Sequence, residues 1–114
     1  EGTAIYNKSG TINVSSGEIT GITQAIFNES GTVTISGGTL SSSGNTIYNH
    51  DKCYIKGGTI ESSKVTIWHD GTVLAISGGT IKTTGTGYVI YNDGGTKPTK
   101  SGSPTITGSI NFTW

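Results

Sequence analysis

Apolar residues alternate with polar ones along this chain in short bursts, and the bursts themselves return about every twenty-one residues. The first burst of each cycle is an isoleucine, then an aromatic, then Asn or His. Its copies are Ala4-Ile5-Tyr6-Asn7, Ala25-Ile26-Phe27-Asn28, Thr46-Ile47-Tyr48-Asn49, Thr66-Ile67-Trp68-His69 and Val89-Ile90-Tyr91-Asn92. Their isoleucines lie 21, 21, 20 and 23 residues apart. The second burst is Gly10-Thr11-Ile12-Asn13-Val14, Gly31-Thr32-Val33-Thr34-Ile35 and Gly71-Thr72-Val73 leading to Ile76, with Lys52-Cys53-Tyr54-Ile55 in the same slot. The third follows a glycine corner at Gly17-Glu18-Ile19, Gly38-Thr39-Leu40, Gly58-Thr59-Ile60 and Gly79-Thr80-Ile81. Alternation with period two predicts half-buried strands, and a fixed period of this length predicts a repeat architecture.

No helical period is present, and the same pattern returns in the same direction each time, so antiparallel hairpins do not account for it. A parallel β-solenoid does, with equivalent strands stacked ~4.8 Å apart. Three short strands in roughly 21 residues fit a right-handed β-helix, and no six-residue repeat of the left-handed kind occurs. The fold class is therefore all-β, in one domain over residues 1–114, with regular coils over 1–93 and an irregular coil over 94–114. Five coils make a column about 24 Å tall.

Inside, Ile5, Ile26, Ile47, Ile67 and Ile90 are expected to stack in one ladder. Ile12, Val33, Cys53 and Val73 form a second, with Val14, Ile35, Ile55 and Ile76 beside it. Ile19, Leu40, Ile60, Ile81 and Ile106 form the other wall. Gly71 to Ile76 spans five steps where Gly31 to Ile35 spans four, which predicts a bulge near Leu74-Ala75.

Abundant Gly, Ser and Thr would suggest a disordered linker, but regularly spaced Ile and Val argue against it. Charge is sparse and balanced, seven lysines against seven acids with no arginine. Without a basic stripe to track phosphates, nucleic-acid binding is not expected. No apolar run approaches about 18 residues, so no membrane insertion is expected. Cys53 is the only cysteine, sits in a core slot, and reads as a small buried apolar residue.

Asn7, Asn28, Asn49, His69 and Asn92 form a column after the aromatic. Asparagine bonds backbone groups at turns, and stacked asparagines can bond one another along the coil axis. The column resembles the asparagine ladder of right-handed parallel β-helix proteins such as the pectin-degrading enzymes. That resemblance covers the coil plan and this column, not an active site. His69 is expected to break the ladder. Asn7, Asn13, Asn28 and Asn111 head glycosylation-type triplets, a pattern that a Ser/Thr-rich chain produces by chance.

If the isoleucine points inward, the next residue points out. Tyr6, Phe27, Tyr48, Trp68 and Tyr91, five of the chain's nine aromatics, then share one outer face. Such a strip invites three readings: rings stacked on one another, a lateral protein contact, or a platform for the apolar faces of sugar rings. Glu29, Asp51, Asp70 and Asp93 follow in the turns. They read as solvated turn acids, because calcium wants six or more oxygens and this spacing supplies few. No metal or other cofactor is expected.

Catalysis is not expected. Glycoside hydrolysis needs two carboxyls about 5–9.5 Å apart across a cleft, whereas the acids here are dispersed and no long loops build walls. No Ser-His-Asp, phosphate-loop or zinc spacing appears. Thr39, Thr59 and Thr80 stand in register, but regular Thr-x-Thr rows of an ice-binding face are not sustained.

The ends carry more information. Ile110 falls about one period after Ile90, so the last strand re-enters the phase of the first. Thr3 and Ile5 at one end, and Ile110, Phe112 and Trp114 at the other, are the candidate end-to-end contact. Such a heterologous contact builds open filaments; a cut from a longer solenoid is the other explanation. The Gly-Gly-Thr-Ile and Ala-Ile-Tyr-Asn phrases resemble the repeats of bacterial cell-surface β-helix proteins, adhesin-like stalks and carbohydrate-binding β-helices among them. The resemblance implies a bacterial extracellular or cell-surface setting. Together with the dispersed acids and the phase of Ile110, the expectation is a non-enzymatic structural or adhesive role, with head-to-tail self-association into a filament or a place in a surface stalk. The alternative is a polysaccharide-binding module that uses the aromatic column.

Overall fold

A computed structural model describes residues 2–114. The strands fall into successive coils. The first holds β1 (Thr3–Asn7), β2 (Thr11–Val14) and β3 (Glu18–Thr20), and the second β4 (Gln24–Asn28), β5 (Thr32–Ile35) and β6 (Thr39–Ser42). The third holds β7 (Ile47–Asn49), β8 (Lys52–Ile55) and β9 (Thr59–Ser62), and the fourth β10 (Ile67–His69), β11 (Val73–Ile76) and β12 (Thr80–Thr83). The last holds β13 (Tyr88–Asn92), β14 (Thr99–Lys100) and β15 (Thr105–Thr107), and β16 (Ser109–Ile110) starts a further turn. First strands pair only with first strands, second with second and third with third. The result is three parallel sheets, A (β1-β4-β7-β10-β13-β16), B (β2-β5-β8-β11-β14) and C (β3-β6-β9-β12-β15). This is an all-β parallel solenoid of about five turns.

The core is the set of inward columns. Ile26, Ile47, Ile67 and Ile90 are fully buried in sheet A, Ile35, Ile55 and Ile76 in sheet B, and Leu40, Ile60 and Ile81 in sheet C. Ile81 pairs with Ile106 and Ile90 with Ile110, so both columns continue to the last coil. Ile5, Ile12 and Ile19 are half-buried, because no coil covers them in the described residues. Two buried threonines tie sheet A to sheet C: Thr46 Oγ1 donates to Glu61 O at 2.6 Å and Thr66 Oγ1 to Lys82 O at 2.7 Å. Cys53 is buried among these apolar residues, and burial pushes its thiol up to about 12.

One expectation is corrected. Leu74, not Val73, stands in the column of Ile12, Val33 and Cys53. Val73 pairs with Lys52 and is half-buried, and β11 runs against β8 from Val73 to Ile76 without the expected bulge at Leu74-Ala75. The irregularity lies instead in the turn of the third coil. Asn49 to Cys53 takes four steps, whereas Asn28 to Val33 and His69 to Leu74 take five. Asp51 O absorbs the difference by accepting from both Thr72 N (2.9 Å) and Val73 N (3.0 Å). Gly71 marks the turn but not the start of the strand, so counting from it gives the wrong offset.

The corner between sheets B and C explains the Gly-Gly pairs. The second glycine, Gly38, Gly58 or Gly79, has φ of 84–87°, where a Cβ is strained. The first glycine is required by what lies beneath it. A Cβ on Gly37, Gly57 or Gly78 would stand 2.3, 2.5 or 2.4 Å from a carbonyl oxygen of the preceding coil.

Side chains of the last residues pack on the final coil. Asn111 Oδ1 accepts from Asn92 N at 2.7 Å and its Nδ2 donates to Asn92 O at 3.0 Å, so a side chain takes over the pairing with β13 where β16 stops. Phe112 and Trp114 meet edge to face at 5.0 Å and pack against the core, with Lys100 Nζ 4.9 Å from the Trp114 ring.

Candidate functional site

The aromatic side chains and the turn amides occupy neighbouring columns on sheet A. Parallel pairing in strict register sets Tyr6 beside Phe27, Phe27 beside Tyr48, Tyr48 beside Trp68 and Trp68 beside Tyr91. Strand spacing brings the rings into contact. Tyr6 meets Phe27 edge-on at 5.3 Å, and Phe27 lies nearly parallel to Tyr48 at 5.0 Å. Tyr48 and Trp68 are 6.0 Å apart and Trp68 and Tyr91 4.6 Å. Two rings cannot lie side by side in one plane at 5.0 Å, so the faces of Phe27 and Tyr48 overlap each other rather than face water. Tyr6 is 52% exposed, while Phe27, Tyr48, Trp68 and Tyr91 are half-buried by their neighbours.

Two further rings join the column. His50 leans on Tyr48 at 4.6 Å and Phe27 at 5.3 Å, and Tyr88 lies 5.4 Å from Tyr91. Period-two alternation could have found His50, two residues beyond Tyr48 on the same face. Tyr88 carries no such signal, since it reaches Tyr91 from three residues away.

Charges gather beside the rings. His50 Nδ1 stands 2.5 Å from Asp70 Oδ1 without the angle of a hydrogen bond, so that shielded oxygen has no hydrogen-bond donor among the described residues. Trp68 Nε1 is likewise buried without an acceptor among them. Burial, followed by the negative charges of Asp70 and Asp93, raises the Tyr48 hydroxyl above the ordinary phenol range. Asp51 accepts from Gly31 N at 2.7 Å and Thr72 Oγ1 at 2.9 Å, with Lys52 Nζ 3.2 Å away. The Gly31 bond, then the Thr72 bond, holds its carboxyl below the usual range. Glu29 and Asp93 are exposed. Among the described residues no three His, Cys, Asp or Glu side chains converge as a metal site.

The amide column is buried and bonded along the axis. Asn7 Nδ2 donates to Asn28 Oδ1 at 2.9 Å, and Asn28 Nδ2 to Asn49 Oδ1 at 3.0 Å. Each amide also donates to carbonyls, Asn28 for example to Lys52 O at 3.0 Å. His69 extends the ladder rather than breaking it. Its Nε2 lies 2.9 Å from Thr96 O, which can only accept, so Nε2 carries the proton. Nδ1 is then free to accept from Asn49 Nδ2 at 3.1 Å. Burial lowers the imidazole pKa, and the Thr96 bond and the Asp70 charge offset part of that.

Asn92 is a second correction. It pairs in register with His69, but its side chain turns to its own loop, accepting from Gly95 N at 2.9 Å and donating to Gly95 O at 3.2 Å. The imidazole is longer than an amide and reaches past that slot to Thr96.

The candidate end residues lie at opposite ends of the column. Thr3 Oγ1 donates to Gln24 Oε1 at 2.6 Å beside the half-buried Ile5, on the outer strand of sheet A. Ile110, Phe112 and Trp114 pack on the other end of the core. Asn111, which bonds the backbone of Asn92, reads from sequence only as the head of a glycosylation-type triplet. The chain matches no family model, no curated protein and no solved structure, so its identity as a parallel β-solenoid repeat protein rests on its own repeats and sheet pairing.

Proposed function

We propose that the chain is a non-enzymatic structural β-solenoid of a bacterial cell surface, a rigid length of an adhesin-like stalk. One observation carries this reading: the polar and aromatic side chains of sheet A are spent on bonds and contacts that run from coil to coil. Asn7, Asn28, Asn49 and His69 form one continuous axial chain of hydrogen bonds. The aromatic faces meet beside it. Groups arranged this way stiffen a column against bending and shear and leave few aimed at a ligand. Extension into a filament by head-to-tail contact is the other form of this reading, with Phe112 and Trp114 packed on the far end of the core.

Antibodies raised against the folded chain and applied to intact source cells test the setting. Surface labelling before permeabilisation is expected, and labelling only after permeabilisation overturns the proposal. Electron microscopy of the purified chain tests the form: discrete particles are expected of a stalk segment, long unbranched filaments of head-to-tail assembly.

A second reading, polysaccharide binding on the aromatic column, is favoured by the exposed rings of Tyr6 (52%) and Tyr88 (39%). Glycan-array binding that is lost in Tyr6→Ala and Trp68→Ala supports it, and no binding by the intact chain removes it.

A further inference from the structure

Tyr88 and Tyr91 lie three residues apart on one strand, and unbroken strand alternation would send them to opposite faces. A bulge brings them together. Tyr88 pairs with Ser109 and Ile90 with Ile110, so β13 takes two steps where β16 takes one, and Val89 is the extra residue. Val89 and Ile90 are both fully buried, one directly after the other, and the alternation slips by one place. Tyr88 thereby reaches the outer face of sheet A. Its ring centre stands 5.4 Å from that of Tyr91, with the planes tilted by 43°.

The same two places, two residues before the inward isoleucine and one after it, hold Thr3 and Tyr6, Gln24 and Phe27, Asn45 and Tyr48, and Val65 and Trp68 in the earlier coils. Only the fifth coil sets a tyrosine at both. Elsewhere tyrosines meet other rings: Tyr6 touches Phe27, and Tyr48 touches Phe27, His50 and Trp68. Tyr54 lies on sheet B, beside Thr34 and Ala75. Among the described residues, Tyr88 and Tyr91 are thus the two phenols whose rings meet. Tyr88 is 39% exposed, so a reagent in solvent can reach it. Phenols in ring contact are predisposed to one reaction. When each loses an electron and its hydroxyl proton, the two radicals combine at ring carbons beside the oxygens.

We propose that Tyr88 and Tyr91 form a site of oxidative modification, at which a one-electron oxidant joins the two rings as dityrosine. Two equivalents of oxidant take one electron from each phenol, and each phenol gives its hydroxyl proton to water. A carbon–carbon bond forms between positions ortho to the two oxygens. The hydrogens on those carbons then move to the oxygens, which restores both phenols, and the chain has lost two hydrogen atoms in all. A peroxidase with hydrogen peroxide belongs to this class of oxidant, the peroxide leaving as two waters. Linked rings stand closer than 5.4 Å centre to centre, so one ring has to slide toward the other. Tyr88 is the exposed and movable one, whereas Tyr91 is held against Trp68 at 4.6 Å. A ring already in contact has a far higher effective concentration than one on another molecule, so coupling within the chain outruns coupling between chains. The link closes over Val89 and Ile90 and fixes the bulge with which β13 begins. The inference concerns these two rings alone and holds whatever the chain does.

The test oxidises the full chain in dilute solution with a photoexcited ruthenium polypyridyl and persulfate, which takes up the electrons as it becomes sulfate. The monomer is isolated and digested with trypsin, which leaves Tyr88 and Tyr91 together in a peptide over 83–100 that holds no other tyrosine. That peptide is expected to be lighter by two hydrogen atoms and to carry dityrosine fluorescence. Tyr88→Phe and Tyr91→Phe keep the ring and remove the hydroxyl, and each is expected to abolish both signals. In urea that unfolds the chain, the yield of the linked peptide is expected to fall by about threefold or more, because the rings are no longer held in contact. Dityrosine found only between chains, or an equal yield from folded and unfolded chain, overturns the inference. So does oxygen added at Trp68 with the peptide unchanged, or a linked peptide that survives either substitution.

Discussion

Asn49 Nδ2 donates to His69 Nδ1 across 3.1 Å, while the opposite nitrogen of the same ring donates to Thr96 O across 2.9 Å. One neutral tautomer satisfies both neighbours. A proton on Nδ1 would set donor against donor inside a site from which solvent is excluded.

Stability is therefore expected to depend on pH through His69. Burial places its folded pKa below the ordinary value of 6.5. The unfolded chain then binds the proton first as pH falls. His69 costs nothing above the unfolded value, and stability drains away as pH falls from about 6.5 toward the folded value. Urea midpoints measured from pH 8 to pH 5 check this. His69→Asn, which cannot titrate, is expected to flatten the slope in that window; an unchanged slope contradicts the assignment.

Glycine substitutions separate two costs. Gly57→Ala pushes a Cβ to 2.5 Å from Ser36 O and is expected to cost about 1–3 kcal/mol or more by overpacking. Gly10→Ala meets nothing within 4 Å and bears only the strain of φ 103°, about 1–2 kcal/mol. Denaturant unfolding of both variants should rank Gly57→Ala as the more damaging.

The corrected register makes its own prediction. Leu74→Ala empties a buried slot and is expected to cost about 2–5 kcal/mol. Val73→Ala, on a half-buried side chain paired with Lys52, is expected to cost less than about 1 kcal/mol. The opposite ranking in chemical denaturation would restore the register read from Gly71.

Ring contact between Phe27 and Tyr48 is expected to be a real coupling. A double-mutant cycle of Phe27→Leu and Tyr48→Leu should return about 0.5–1.5 kcal/mol. A coupling near zero would mean that the two rings only share a surface.

The period of the Ile-aromatic-Asn phrase is enough to place nearly every strand, because register in a parallel stack follows from repeat length. Ile26, Ile47, Ile67 and Ile90 are stacked as their spacing requires. Legibility fails where one residue is missing from a turn. The third coil shortens between Asn49 and Cys53, and only the shared carbonyl of Asp51 shows how the ladder absorbs it. The candidate site is legible as columns but not as contacts. Sequence puts Tyr48 outward, yet side-chain geometry alone shows its face turned to Phe27 with His50 against both. Asn92 fits the column by position and leaves it by reach, and no spacing argument records the length of an imidazole.

The amide column also has a direction. At the turns most backbone bonds between coils run from a coil to the one before it, as from Glu29 N to Asn7 O, and few run the other way, as from Ala25 N to Thr46 O. From Asn7 through Asn28 and Asn49 to His69 and Thr96, every side-chain proton points the same way. Aligned dipoles polarise one another and add. The column thus carries an electrical arrow of its own, oxygen leading at Asn7 and hydrogen trailing at His69, which makes the two ends of this ladder unlike in sign.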